Sequence, residues 1–423
     1  MPLDIKSMRK RFPALSIKDN GRARVYLDNP GGTQVPVDVI DAISDCLIRC
    51  NANLGGAFRS TKLADQVVED AHTAMADFLN ANDVQEIIFG QNMTSLTMQL
   101  SRSLAPLFKP GDEVIVSRMD HDANVSPWLL LAQDLGLNVK WLDFDTHKFE
   151  FDLSQLDELL TDKTKLIAVG YASNLTGTVH DVKAIAAKAK SVGALCFIDA
   201  VQFAPHGFID VQDLGCDFLV CSPYKFFGPH QGVLWGRKDL LESLHAYKVR
   251  PAPNDASGKF ETGTLSHEAM AGTTAVVNYF AEIGQNMAQA HMDKHSMYPE
   301  RRAYIRAAFD LLRGYEDQLT LRLIEGLRGM NGVTIQGITN PDDIARRVPT
   351  ISFSVEGLDP SVISEALARD NIFVWSGHNY AIEAVDKLGL KDKGGILRIG
   401  IAHYNTADEI DLTLAAIKRV LMS

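Results

Sequence analysis

The sequence predicts an α/β domain built on a mostly parallel sheet, followed by a smaller α+β domain. Three observations predict it. Short apolar runs alternate with helical stretches between about residues 80 and 237, long helical segments take over after Gly272, and a second set of short runs precedes a terminal helix.

The first runs, in order, are Glu86-Ile87-Ile88-Phe89, Glu113-Val114-Ile115-Val116, Asn138-Val139-Lys140-Trp141-Leu142 and Lys165-Leu166-Ile167-Ala168-Val169. Ala194-Leu195-Cys196-Phe197-Ile198, Asp217-Phe218-Leu219-Val220-Cys221 and Gly232-Val233-Leu234-Trp235-Gly236 complete seven candidate strands. Their near-continuous apolar character is that of strands covered on both faces. Helical stretches lie between them; one runs from Val182 to Ala194, with Gly193 as its stop signal. After Gly272 helices extend to about Arg328 and tie the two domains together. The second set of runs is Val333-Thr334-Ile335-Gln336, Thr350 to Val355, Ile372-Phe373-Val374-Trp375 and Leu397-Arg398-Ile399-Gly400-Ile401. A final helix follows, with Thr406 or Asn405 as its N-cap.

With 423 residues, 46% hydrophobic and 22% charged, the chain has enough apolar surface for two cores. A formal net charge of −11 argues against a dedicated binder of nucleic acid or anionic membrane, because phosphates repel such a surface. The N-terminus lacks an apolar signal core, and no run of about 18 apolar residues could span a bilayer. Five cysteines without CxxC spacing point to reduced thiols in the cytoplasm, with no disulfide framework and no metal cluster. Cys46 and Cys50, four apart on a helix, read as core packing.

The stretch Cys221-Ser222-Pro223-Tyr224-Lys225-Phe226-Phe227-Gly228 places one lysine in a Gly/Pro-punctuated turn after an apolar strand. Burying an ammonium is costly unless it is paired or neutral. A Schiff base to pyridoxal phosphate (PLP) supplies a reason for Lys225, since a desolvated lysine with a lowered pKa can attack an aldehyde. Upstream, another apolar run closes in Asp199, followed by Ala200-Val201-Gln202. In a parallel sheet strand ends share one rim, so Asp199 could keep a pyridine nitrogen protonated. Asn174, in Tyr171-Ala172-Ser173-Asn174-Leu175-Thr176-Gly177-Thr178, could meet the ring's phenolic oxygen. Gly90-Gln91-Asn92-Met93-Thr94-Ser95 ends a strand and opens a helix, a natural seat for a phosphate. Asp120-His121-Asp122 adds an aromatic side chain able to stack on a ring.

These segments together resemble class V aminotransferases of fold type I, and within them the cysteine desulfurase-like branch that includes selenocysteine lyases. The resemblance runs along nearly the whole chain: Tyr26-Leu27-Asp28, the Thr94 turn, Asp120-His121, Ser173-Asn174, Asp199 to Gln202, Ser222 to Gly228, Phe260-Glu261-Thr262-Gly263-Thr264, and Leu397-Arg398 through Tyr404-Asn405-Thr406. It implies that Lys225 holds PLP and shuttles protons, Asp199 pairs with the ring nitrogen, and His121 stacks on the ring. Asn174 and Gln202 would contact the phenolic oxygen. The phosphate would lie on Thr94 and Ser222, with Thr264 reaching it from the second subunit of a homodimer; Met93 joins the cofactor-binding set, and the Tyr224 hydroxyl could bond a phosphate oxygen. Arg398 would clamp the α-carboxylate of a small amino-acid substrate, a task suited to a planar bidentate donor. The implied layout is an N-terminal arm over 1–20 packing with the small domain, a large PLP-binding domain over 21–275, and linking helices plus the small domain over 276–423.

Two departures qualify the resemblance. Tyr224 stands where desulfurases of this branch carry a His before the lysine. In Val374-Trp375-Ser376-Gly377-His378-Asn379-Tyr380-Ala381, Trp375 takes the place of an Arg and Tyr380 that of the persulfide-forming Cys. The expected activity is therefore a desulfurase-like reaction, through an external aldimine, on a small sulfur-containing or β-substituted L-amino acid. Transamination and epimerisation are alternatives, as is a non-catalytic PLP binder; any protein that accepts sulfur is unidentified. A nucleotide-binding α/β fold is disfavoured, because neither GxGxxG after a strand nor GxxxxGK[ST] is present.

Overall fold

The computed structural model describes residues 3–422. The seven strands form in the expected places: β1 (Ile87–Gly90), β2 (Glu113–Ser117), β3 (Asn138–Leu142), β4 (Thr164–Gly170), β5 (Leu195–Asp199), β6 (Phe218–Cys221) and β7 (Gly232–Gly236). They make one sheet in the order β1-β7-β6-β5-β4-β2-β3. All neighbours are parallel except β7, which runs antiparallel to both β1 and β6.

The alternation of strand side chains divides the core in two. Ile115, Ile167, Ile198 and Leu219 face one layer of helices. Val114, Leu166, Phe197 and Val220 face the other. This double covering makes the strands read as apolar runs rather than alternating ones.

Two long helices, His267–Met287 and Glu300–Arg328, pack against each other and lead to the small domain. A Cβ added at Gly284 would lie 1.8 Å from the Tyr304 carbonyl oxygen, so the helices can approach this closely only with glycine there. Gly284→Ala is expected to cost about 1–3 kcal/mol through overpacking. The check is a lowered urea midpoint; an unchanged midpoint would mean the crossing relaxes freely.

The small domain carries an antiparallel sheet, β8 (Val333–Gln336), β9 (Thr350–Val355), β10 (Trp375–Gly377) and β11 (Ile396–Gly400), in the order β8-β9-β11-β10. Here the structure corrects the sequence reading of one strand over 372–375. Ile372–Phe373 instead pairs in parallel with Val25–Tyr26, and the chain changes sheets at Val374 before entering β10. Tyr26 therefore joins the small domain's side of the molecule, although it falls within the 21–275 expected for the large one. The final helix, Ala407–Met422, begins with a capping box: Thr406 Oγ1 accepts from Glu409 N–H (3.2 Å) and Glu409 accepts from Thr406 N–H (3.0 Å).

Near the N-terminus, Phe12 packs edge-on against Phe227 of the large domain, Tyr279 of the first long helix and the His403 ring that follows β11, and at a tilt against the Tyr404 ring. Arg9 binds the Tyr404 carbonyl and Glu409. The segment thus seals the junction of the two domains. Among the described residues no helix is long and apolar enough to cross a membrane.

Candidate active site

The C-terminal ends of the parallel strands form one rim, and a cavity of about 350 Å³ opens there beneath the small domain. Every site residue expected from the sequence lines it except Thr264.

Lys225 lies just beyond β6, where Pro223 starts a short 3-10 turn. Its Nζ donates to the Pro30 carbonyl and sits 4.6 Å from the centre of the Tyr224 ring. Burial, aided by the nearby Arg398 charge, pushes its pKa down to about 7, against the pull of Asp28 and Asp199. Near neutral pH much of this amine is therefore an uncharged nucleophile.

Asp199 ends β5 in register with Gly170 of β4 and Val220 of β6. Its Oδ1 accepts from Val201 N–H (2.9 Å), and burial lifts the carboxyl to about 6. A neighbouring acid, Asp120, is held by three donors: Ser117 Oγ (2.7 Å), Gly170 N–H (2.9 Å) and Asn124 Nδ2 (2.7 Å). Burial raises Asp120 to about 7 in spite of those donors. This network fixes the turn that carries His121. The His121 Nδ1 accepts from Ala123 N–H (3.0 Å), which leaves the proton on Nε2. Burial depresses its pKa to about 4, so the ring is neutral.

The helix Met93–Leu104 starts at the same rim. Asn92 caps the Ser95 N–H (2.8 Å), while the N–H groups of Met93 and Thr94 take no acceptor among the described residues. Such a helix start suits an anion. Gly232 of β7 passes directly beneath it: an added Cβ would lie 2.3 Å from the Asn92 carbonyl carbon.

From the small domain, Arg398 on β11 enters the cavity fully buried. Its Nη2 donates to Asp28 Oδ1 (3.0 Å) and Nη1 to the Asn174 carbonyl (3.2 Å). Burial pulls its pKa down and Asp28 supports the charge. Asn174 Nδ2 donates to the Asn379 carbonyl (2.7 Å), and Gln202 Nε2 to Thr350 Oγ1 (3.0 Å). Four buried polar atoms of this cavity, Ser222 Oγ, Asn174 Oδ1, Asn379 Oδ1 and Arg398 Nε, have no hydrogen-bond partner among the described residues. Polar atoms so placed mark a site shaped for a polar ligand.

Thr264 is exposed and lines an adjacent cleft, which shares Thr94 with the first cavity. Its loop is anchored by Glu261, which accepts from Phe89 N–H (2.8 Å) and pairs with His72 Nε2 (2.9 Å).

None of the five cysteines lines the cavity. Burial pushes the Cys46 and Cys216 thiols up to about 12 and raises those of Cys196 and Cys221 well above the ordinary thiol range, which makes them inert.

Residues 25–303 and 302–413 match the family model of class V aminotransferases. The chain belongs to the class V aminotransferase family. An aminotransferase-like protein of Gibberella zeae is 33% identical over 99% of this chain and 98% of its own length. A probable cysteine desulfurase of Streptomyces coelicolor is 32% identical over 99% and 97%. Among solved structures, the apo cysteine desulfurase from Thermococcus onnurineus aligns with a TM-score of 0.86 at 26% identity, covering 100% of this chain and 99% of that one. The cysteine desulfurase CsdA from Escherichia coli aligns with a TM-score of 0.80 at 26% identity, over 100% and 99%. Within the class V family this chain is a cysteine desulfurase-like enzyme of the PLP-dependent type.

Several residues of this class V site escaped the sequence reading as site residues. Asp28, the partner of Arg398, closes a short apolar run just as Asp199 does, so the same signal was present. Asp120 reaches across the sheet to the Gly170 N–H, and the Asn379 carbonyl accepts from Asn174; bonds between residues so distant in sequence leave no local mark.

Proposed function

We propose that this enzyme works as a PLP-loaded homodimer on a small L-amino acid, removing the Cα proton and releasing a Cβ substituent. The observation that carries this reading is the placement of Lys225, Asp199 and Arg398 around one cavity. Lys225 would hold the cofactor covalently, Asp199 would face the ring nitrogen, and His121 would lie against the ring. Asn174 and Gln202 would meet the phenolic oxygen. The helix start at Met93 and Thr94, with Ser222 and Tyr224, would hold the phosphate, and Thr264 of a second subunit would complete that site. The fit is supported by Ser222 Oγ and Asn174 Oδ1, which otherwise lack partners.

When bound, PLP supplies an electron sink for charge developing at Cα. The remaining work belongs to the protein. Arg398, already oriented by Asp28 and the Asn174 carbonyl, has its Nε–H left to grip an α-carboxylate. Lys225 Nζ takes the Cα proton, a task for which a pKa near the working pH is suited. Asp199 would hold negative charge beside the ring nitrogen. A cation there stabilises the carboxylate and draws its pKa down from the raised value. Among the described residues no thiol lines the cavity, so the bond from Cβ to its substituent would break with the electron pair leaving on the substituent to solvent rather than to a cysteine sulfur, while the pair left at Cα by proton loss to Lys225 would form a Cα=Cβ double bond.

The test is borohydride reduction of protein loaded with PLP, followed by peptide mass analysis and then by assay of sulfide release from L-cysteine. Cofactor-derived mass on Lys225 together with sulfide is the expected outcome. No such mass on Lys225 overturns the central assignment. Cofactor on Lys225 without sulfide or alanine moves the reaction to transamination or epimerisation.

A further inference from the structure

Strand β10 and the loop that follows it, over 375–381, bring aromatic side chains to the cavity in a way the shared chemistry does not require. Trp375 and Tyr380 both line it, yet they are 57% and 63% exposed, so they stand at its mouth. The Tyr380 ring stacks on His121 with centroids 5.2 Å apart and planes 16° from parallel. His378 meets the same tyrosine edge-on at 5.8 Å.

Tyr380 is held in this position against its backbone preference. Asn379 and Tyr380 have φ of +51° and +59°, a left-handed conformation that asparagine tolerates and tyrosine rarely adopts. Bonds to the large domain maintain it: the Asn379 carbonyl accepts from Asn174 Nδ2 (2.7 Å), and the Tyr380 carbonyl accepts from Asp122 N–H (2.8 Å). A strained residue that its surroundings over-determine is a mark of function.

The charges of the cavity narrow what the aromatic mouth can receive. Among the described lining residues the basic side chains are Lys225, whose charge burial disfavours, and Arg398, and the reading above assigns both. None remains to pair with a side-chain carboxylate. The lining carboxylates are also engaged: Asp120 by three donors, Asp28 by Arg398, and Asp199 by the ring nitrogen of that reading. A side-chain ammonium would thus enter without a free counter-charge. Aromatic walls with no unassigned charge favour a neutral, apolar or aromatic group.

Resting on the proposed PLP chemistry, the geometry points to a substrate whose Cβ substituent is neutral and apolar or aromatic, gripped between Trp375 and Tyr380 at the mouth of the cavity.

The test uses S-substituted L-cysteines of one backbone: S-methyl, S-benzyl, S-carboxymethyl and S-(2-aminoethyl). Dissociation constants are measured by calorimetry on the cofactor-loaded protein, with tryptophan emission followed in parallel. The S-benzyl compound is expected to bind about tenfold or more tighter than the anionic and cationic ones. In Trp375→Ala and Tyr380→Ala its advantage over S-methyl-L-cysteine should shrink to about threefold or less, with S-methyl binding itself changed less than about twofold. Equal binding of the S-carboxymethyl or S-(2-aminoethyl) compound overturns the inference. So does equal weakening of S-benzyl and S-methyl binding in the variants, which would mean the two residues merely support the loop. If borohydride places no cofactor on Lys225, the PLP reading fails separately. The same titration on cofactor-free protein then still decides selectivity by the order of the dissociation constants.

Discussion

Lys225→Ala is expected to lower turnover by about 10³-fold and to abolish covalent retention of PLP, because one side chain both anchors the cofactor and moves the Cα proton. The cofactor-free protein provides a second, independent reading of the same residue. Folded Lys225 has a pKa of about 7 against an ordinary 10.5, because burial disfavours its charge. Between those values the unfolded chain binds more protons than the folded one, so the contribution of Lys225 to stability rises with pH through that window. Lys225→Met removes the titrating group and should flatten this part of the stability curve, measured as the urea midpoint at intervals from pH 7 to pH 10. Loading of the wild-type protein, followed by cofactor absorbance, should accelerate as pH climbs through about 7. Parallel stability curves for wild type and Lys225→Met would show that the amine is not desolvated as the cavity walls imply.

Asp199→Asn should separate activity from stability. Turnover is expected to fall by about 10²–10³-fold, since an amide keeps the shape but not the charge that supports a protonated ring nitrogen. The folded carboxyl has a pKa of about 6 against an ordinary 3.8, so the folded state binds more protons between these values. Its contribution to stability therefore falls as pH rises through that window, and above it the buried carboxylate is a net cost in the cofactor-free protein. The amide carries no such cost. At pH 8 the cofactor-free Asp199→Asn protein should melt at a higher temperature than wild type while its loaded form turns over far more slowly. Unchanged turnover would remove Asp199 from the catalytic assignment, and a lower melting temperature would contradict the burial cost.

The strands of the large sheet were legible because burial on both faces makes each one a continuous apolar run bounded by turn residues. The C-terminal region was less so. The run from Ile372 to Trp375 looks like one strand, but Val374 is where the chain passes from pairing with Val25–Tyr26 to pairing with β11. Nothing local to those residues announces partners hundreds of positions away. Thr264 illustrates a different difficulty: its exposed loop lines the neighbouring cleft, and its expected role requires a second subunit.

The sequence by itself determined that Asp199 ends, and Lys225 follows, a strand of one mostly parallel sheet, that Arg398 lies on a strand of a second domain, and that tyrosine stands where a loop cysteine would be needed. The first two follow from residue order and local periodicity, and the third from the resemblance to the desulfurase loop. Only the tertiary structure decided that burial lowers the pKa of Lys225 to about 7, that Arg398 is braced by Asp28, and that Tyr380 is held over His121 in a strained conformation. Desolvation and long-range hydrogen bonds belong to the assembled walls of the cavity, not to any one segment that builds them.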